Sequence, residues 1–147
     1  MTNTINVVQY GLGPIGTESA RKILEKSDNG IRLVGAIDID PKKVGKDLGE
    51  ILGSKERLGI TVSNDAREVF RSTKAHVAVH TTSSFLEKVF SQLAHCAESK
   101  VNVVSSTEEL FYPYDRHPKI AEELDALAKR NGISIVGTGV NPGFVMD

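Results

Sequence analysis

Cysteine is nearly missing from this chain of 147 residues, with Cys96 its single example. An intrachain disulfide is therefore impossible and paired thiolate metal sites are out of reach, which fits a reducing compartment; the cytoplasm is the expected location. Charge of one sign is missing as well. The 18 Lys and Arg stand against 19 Asp and Glu, a net charge of −1, so no electrostatic reason exists to expect nucleic acid or an anionic lipid surface as partner. No apolar run approaches the roughly 20 residues of a membrane helix, and MTNTINVVQYG carries no cationic leader ahead of an apolar stretch. Neither export nor insertion is expected. What remains is the composition of an ordinary globular domain, 39% hydrophobic and close to half apolar once glycine is counted. A chain of this length hides roughly two-thirds of its unfolded surface, enough for one core without staples.

Short apolar runs alternate with longer helix-period segments, the rhythm of βαβ units. Ile5 to Tyr10 reads as a buried strand, and from Pro14 the residues Ile15, Ser19, Ile23 and Leu24 recur at helical spacing until the turn Asp28-Asn29-Gly30. Ile31 to Asp38 is a second strand. Asp40-Pro41 then reads as an N-cap with proline at the first helical position, opening a short Lys-rich helix. The stretch from Gly45 to Leu58 is broken by glycine and has no clear period. A short strand lies near Ile60-Thr61-Val62, followed by a cap at Ser63-Asn64-Asp65 and a helical turn ending at Phe70. Val77 to Val79 is the heart of a fourth strand, and Ser84 caps a helix with Phe85, Val89, Leu93 and Ala97 on its apolar face. Val101 to Val104 is a fifth strand, Ile120, Leu124, Leu127 and Ala128 mark a helix ending before Asn131-Gly132, and Ile133 to Val136 is a sixth. The expected fold is α/β, a Rossmann-type, doubly wound and mostly parallel sheet of about six strands with right-handed crossovers. Asn141-Pro142-Gly143 resembles one more helix start with barely a turn after it. Residues 1–147 thus read as the N-terminal domain of a longer protein, with a natural short tail that docks its own Phe144 and Met146 as the alternative.

Gly11-Leu12-Gly13-Pro14-Ile15-Gly16 fits G-x-G-x-x-G, and its place between the first strand and the first helix turns a weak pattern into a strong one. Gly11 allows the tight turn, Gly13 lets the backbone approach a pyrophosphate, and Gly16 lets helix and strand pack closely. The helix N-terminus offers unpaired N–H groups and partial positive charge to the phosphates. Asp38 closes the second strand at the expected spacing of about 20 residues, where a carboxylate accepts from the adenosine ribose hydroxyls and repels a 2′-phosphate. NAD is favoured on that ground, although Lys42 and Lys43 nearby could attract the phosphate of NADP; a solvated helix face is their blander reading.

Ligands of open parallel sheets sit beyond the carboxyl ends of the strands. The fourth strand leaves through His80-Thr81-Thr82-Ser83-Ser84, small hydroxyl residues suited to ribose and diphosphate, or simply a turn and a cap. The fifth leaves through Ser105-Ser106-Thr107-Glu108-Glu109, whose carboxylates either meet a cationic substrate group or favour a helix N-terminus, the second reading weighing more. His80 stands at this rim, either as a hydrogen-bond partner of nicotinamide or substrate or as a satisfied structural histidine. His76, His95, His117 and Cys96 form no metal-ligand constellation, Cys96 reads as small hydrophobic packing, and no Ser-His-Asp or Cys-His arrangement is recoverable.

Val7 to Gly16, Val34 to Asp38, Val103 to Glu109 and the segment Gly137-Thr138-Gly139-Val140-Asn141-Pro142-Gly143-Phe144 together resemble one known group. Over essentially its whole length the chain resembles the N-terminal NAD(P)-binding domain of the 2,4-diaminopentanoate dehydrogenases and related dihydrodipicolinate-reductase-like proteins. The resemblance implies NAD(P)-dependent oxidative deamination of an amino acid bearing a further amine, by hydride transfer and hydrolysis of the imine. It implies a homo-oligomeric, dimeric full-length protein acting on a small-molecule substrate, with much of the pocket supplied by the C-terminal half. The cofactor-binding residues it carries over are Gly11, Leu12, Gly13, Pro14, Ile15, Gly16 and Asp38, with Thr81, Thr82, Ser105 and Asn141 toward the nicotinamide end. The catalytic acid or base is not assigned, and no metal is expected. A cyclic-imine reductase and a nucleotide-sensing domain without chemistry are the alternatives. This chain alone is expected to bind cofactor without turnover.

Overall fold

The computed structural model describes residues 4–138, so Asn141 and the rest of the Asn141-Pro142-Gly143 segment lie outside the described residues. Six strands form one sheet: β1 (Ile5–Tyr10), β2 (Ile31–Ile37), β3 (Val62–Ser63), β4 (Val77–His80), β5 (Asn102–Ser105) and β6 (Ile135–Gly137). Their order is β3-β2-β1-β4-β5-β6 and every strand pairing is parallel. The connecting helices are α1 (Pro14–Glu25), α2 (Leu48–Leu52), α3 (Ala66–Thr73), α4 (Leu86–Glu98) and α5 (Pro118–Asn131). The expected doubly wound Rossmann-type fold is what the chain adopts.

Alternation along the central strands feeds two cores. Val8, Tyr10 and Ile37 face one way and pack with Phe70 of α3, Leu93 of α4 and Leu124 of α5. Leu33 and Ala36 face the other way, against Ala20 of α1 and Leu48 and Leu52 of α2. Because α1 and α2 reach only the β1–β3 half, Val104 and Val136, register partners on β5 and β6, remain 39% and 47% exposed.

Several local expectations are corrected. Asp40-Pro41 opens a series of turns rather than a Lys-rich helix. The Asp40 carboxylate does accept from the Lys42 amide as a cap would. Gly45, however, turns at φ +85°, and its amide and the Lys46 carbonyl bond Val62 instead. Edge pairing with β3 thus takes the backbone groups a second helical turn would use. The glycine-broken stretch contains α2, capped by Asp47, whose buried carboxylate accepts from the amides of Gly49, Leu58 and Gly59. Those backbone donors, Leu58 first, hold its pKa below the ordinary carboxylate value. The third strand is Val62–Ser63 rather than residues 60–62, and α3 continues past Phe70 to Thr73. The cap of α4 is Phe85, not Ser84. Phe85 is 54% exposed while Leu86, Val89, Leu93 and Ala97 are fully buried, so the apolar stripe begins one residue later than its period suggested.

Leu93 has no exposed surface and sits at the centre of the larger core. Leu93→Ala is expected to lower unfolding free energy by about 2–5 kcal/mol, read as a fall in the urea midpoint at unchanged slope.

Candidate functional site

The strand order reverses between β1 and β4, so the loops leaving them diverge to opposite faces and open a crevice at their carboxyl ends. A cleft of about 230 Å³ lies there, lined by the β1 turn Gly11–Gly13, by Asp38 and Ile39 after β2, by Thr81–Ser83 after β4, and by Lys88 and Gln92 of α4. Gly11, Leu12, Gly13, Asp38, Thr81 and Thr82 of the expected site are thereby brought together. Pro14, Ile15 and Gly16 form the first turn of α1 beside them. Ser105 is fully buried and does not wall the cleft; its hydroxyl meets His80 Nδ1 at 2.9 Å and Thr107 Oγ1 at 3.0 Å.

The glycines divide their roles by what a side chain would meet. Gly11 has φ +98°, and a Cβ there would stand 2.7 Å from the Thr81 carbonyl oxygen. A Cβ at Gly16 would overlap the Gly11 carbonyl. Both are close-approach positions. At Gly13, by contrast, a Cβ would meet nothing within 4 Å among the described residues; it would project into open space at the α1 N-terminus. That terminus has no side-chain cap and no acidic residue in its first turn, leaving its amides and its positive end to an outside anion. These features fit a pyrophosphate: an uncapped helix start, and a position kept bare without internal need.

Gln9 holds the turn from below and sequence reasoning missed it. Fully buried on β1, it donates from Nε2 to the Gly11 carbonyl at 3.0 Å and to Thr81 Oγ1 at 2.9 Å. Its Oε1 is buried and has no hydrogen-bond partner among the described residues. The signal available was one amide within an apolar strand, two positions before the glycine turn.

Asp38 follows β2 directly. Its Oδ2 accepts from the Leu12 amide at 2.7 Å and its Oδ1 from the Asp40 amide at 2.8 Å. Each oxygen retains a lone pair for a ribose hydroxyl. Lys43 is no solvated helix face. Its ammonium donates to the Leu12 carbonyl at 2.8 Å and lies 3.8 Å from both Asp38 and Asp40, so Asp38 has a cation at its shoulder.

At the β5 rim the two carboxylates separate. Glu109 Oε2 accepts from the Leu86 amide at 2.8 Å and meets His117 Nε2 at 3.1 Å. Glu109 therefore serves a helix N-terminus, as the bland reading held, but that of α4. The Leu86 amide, ahead of His117 and Arg116, holds its pKa below the ordinary value. Glu108 is exposed. His80 is fully buried, edge-on to Tyr10 with ring centroids 5.3 Å apart, and burial pushes its pKa below 6.5. Burial pushes the Cys96 thiol up to about 12, which fits packing rather than chemistry. Among the described residues no group of three His, Cys, Asp or Glu is placed to hold a metal, and no helix is long and apolar enough to cross a membrane.

Strand order and glycine turn together define a Rossmann-type, doubly wound domain. The family model described as dihydrodipicolinate reductase, N-terminus, matches residues 5–137; the chain belongs to that family and is its N-terminal NAD(P)-binding domain. It is 35% identical to the 2,4-diaminopentanoate dehydrogenase of Acetoanaerobium sticklandii over 97% of this chain and 40% of the relative. The amine dehydrogenase structure from Mycobacterium smegmatis superposes with a TM-score of 0.87 at 44% identity, covering 92% of this chain and 39% of that one. The WlbA dehydrogenase of Bordetella pertussis, solved with NADH and UDP-GlcNAcA, shares the fold with a TM-score of 0.67 at 18% identity, over 91% of this chain and 35% of its own. The chain thus spans about 40% of the length of the curated relative.

Two outcomes are expected. Gly16→Ala, which must displace the Gly11 carbonyl, loses about 1–3 kcal/mol in urea unfolding, whereas Gly13→Ala leaves the midpoint unchanged. Between its depressed folded value and 6.5, His80 binds a proton in the unfolded chain but not in the folded one. Stability therefore falls as pH drops from 6.5 through that window, and His80→Asn flattens this slope. The loss from Asp47 and Glu109, whose folded values lie below 3.8 and 4.5, follows only at lower pH.

Proposed function

We propose that this chain is the cofactor domain of an NAD(P)-dependent oxidoreductase that deaminates a small amino acid carrying a further amine, such as 2,4-diaminopentanoate. The observation that carries the reading is the bare Gly13 position at the uncapped start of α1, set in the crevice where the strand order reverses. The amides of the glycine turn and α1 would receive the pyrophosphate, Asp38 the adenosine ribose, and Thr81 and Thr82 the part of the dinucleotide beyond the β4 exit. Ser105 and Asn141 complete the assignment made from resemblance, the former acting through His80 rather than by contact. The nicotinamide, when bound, supplies a hydride acceptor for the carbon that bears the amine.

Asp38 favours NAD, since its carboxylate accepts from a ribose diol and repels a 2′-phosphate; Lys43 softens that repulsion without removing it. Because Glu109 is committed to α4 and His117, Glu108 is the rim carboxylate left to meet a cationic substrate nitrogen. A parallel sheet ordinarily has both faces covered. The exposed pair Val104 and Val136 therefore supports a C-terminal substrate and dimerisation domain packing on this one. The names of the two similar dehydrogenases support the amine-directed chemistry.

Calorimetric titration of the chain with NADH and NADPH separately is expected to give saturable binding, tighter for NADH. Gly13→Val should abolish it while leaving the fold intact, and Asp38→Ala should weaken NADH more than NADPH. Tighter NADPH binding to the unsubstituted protein would transfer the ribose pocket to Lys43. Undiminished NADH affinity in Gly13→Val would remove the pyrophosphate site from this turn.

A further inference from the structure

Behind the cleft, a chain of buried polar side chains joins the β4 and β5 exits, and its protons can be assigned one by one. Thr107 Oγ1 lies 2.7 Å from the Ser83 carbonyl oxygen. A carbonyl only accepts, so the Thr107 proton lies on that contact. The 3.0 Å contact between Ser105 Oγ and Thr107 Oγ1 is then a bond only if Ser105 donates. Having donated, Ser105 Oγ can only accept from the Thr107 amide at 3.1 Å and from His80 Nδ1 at 2.9 Å. Nδ1 therefore carries the proton. With no carboxylate among the described residues bonded to the ring and the ring fully buried, the second nitrogen, Nε2, is bare.

Nε2 faces the Gln92 carboxamide at 2.7 Å and Thr82 Oγ1 at 3.0 Å, and the carboxamide and Thr82 Oγ1 are 2.5 Å apart. An oxygen and a bare ring nitrogen repel at that separation. Rotating the carboxamide by 180° exchanges its oxygen and nitrogen, and its amine then donates one proton to Nε2 and the other to Thr82 Oγ1. Every contact in the chain then holds one proton except the 3.0 Å approach of Thr82 Oγ1 to Nε2, whose single lone pair is taken by the carboxamide at 2.7 Å. The opposite tautomer, with Nε2 protonated and Ser105 donating to Nδ1, leaves Ser105 and Thr107 facing each other with no proton between them, at full burial. In the favoured arrangement Thr82 Oγ1 is already an acceptor, and its own proton is released toward the cleft that Thr82 lines.

We propose that His80 is a positioning residue: the Ser83–Thr107–Ser105 chain fixes it as the Nδ1–H tautomer, and its bare Nε2, through Gln92, turns the Thr82 hydroxyl proton outward as a donor to the bound dinucleotide. The acceptor is a phosphate or ribose oxygen in the crevice, so this role rests on the cofactor reading above. The tautomer itself does not.

Long-range proton–nitrogen correlation spectra of the ligand-free protein, with the His80 signals identified by their loss in His80→Asn, are expected to show Nδ1 protonated and Nε2 bare. Ser105→Ala should move His80 toward the Nε2–H form. An Nε2–H tautomer or an imidazolium at neutral pH in the unsubstituted protein overturns the proposal. Titration with NADH then tests the consequence. Thr82→Val should lose about tenfold in affinity, Thr82→Ser should keep it, and Ser105→Ala, remote from the ligand, should lose about threefold. Undiminished affinity in both Thr82→Val and Ser105→Ala with the tautomer as expected refutes the positioning role alone. A folded protein that binds neither NADH nor NADPH refutes the cofactor reading and that role together, while the spectra still decide the tautomer.

Discussion

The contact between the first turn of α1, the Gly11 carbonyl and the Thr81 backbone governs everything at the top of this sheet. At Gly16 a single added carbon overlaps the Gly11 carbonyl, and at Gly11 it would press on Thr81. Packing at that range lets helix α1 start directly at the carboxyl end of β1, so its unpaired amides point into the crevice rather than over it. It also brings the β4 exit against the turn, with Gln9 tying Gly11 and Thr81 together from beneath. The two close-approach glycines thus shape the turn, while the third, Gly13, leaves room that no group among the described residues uses.

Around that turn the polar side chains are already partnered, and the partners differ in what they leave over. Asp38 and Lys43 lock onto the amide and carbonyl of Leu12, so the acid after β2 and its neighbouring cation also brace the loop. Glu109 caps α4 from 23 residues further along the chain. Together with the Ser83 hydroxyl, which accepts from the Phe85 amide at 3.3 Å, this fixes the helix from which Lys88 and Gln92 reach the cleft. The buried run from His80 to Thr107 joins the same two exits, linking the β4 and β5 rims through side chains as well as backbone. A charge on the His80 ring would break that run, and burial opposes such a charge.

Legibility in the sequence followed the range of the interaction. The strand runs, the glycine turn and the acid after β2 were readable because each is set by neighbours within a few positions: β-rich apolar runs, a tight turn, a strand-end carboxylate. The α2 cap at Asp47 was not, since its carboxylate collects amides from Leu58 and Gly59 across a loop. The Lys-rich segment after Asp40 had the local marks of a helix and lost to edge pairing with Val62. The α4 boundary slipped by one residue because Phe85 and Leu86 suit the same period, and only packing decides which is buried.

By itself the sequence determined the alternation of strands and helices and the place of the glycine turn, because periodicity and glycine placement express local backbone constraints. Tertiary structure alone decided what the polar residues do. Ser105 became an internal hydrogen-bonding link instead of a wall of the cleft, Glu109 parted from Glu108, Lys43 was drawn to Leu12, and His80 gained partners on both nitrogens. Hydrogen bonds and ion pairs are made between groups distant in the chain and depend on separations of an ångström or less. Residue type and spacing do not carry that information until the sheet has brought the strand ends together.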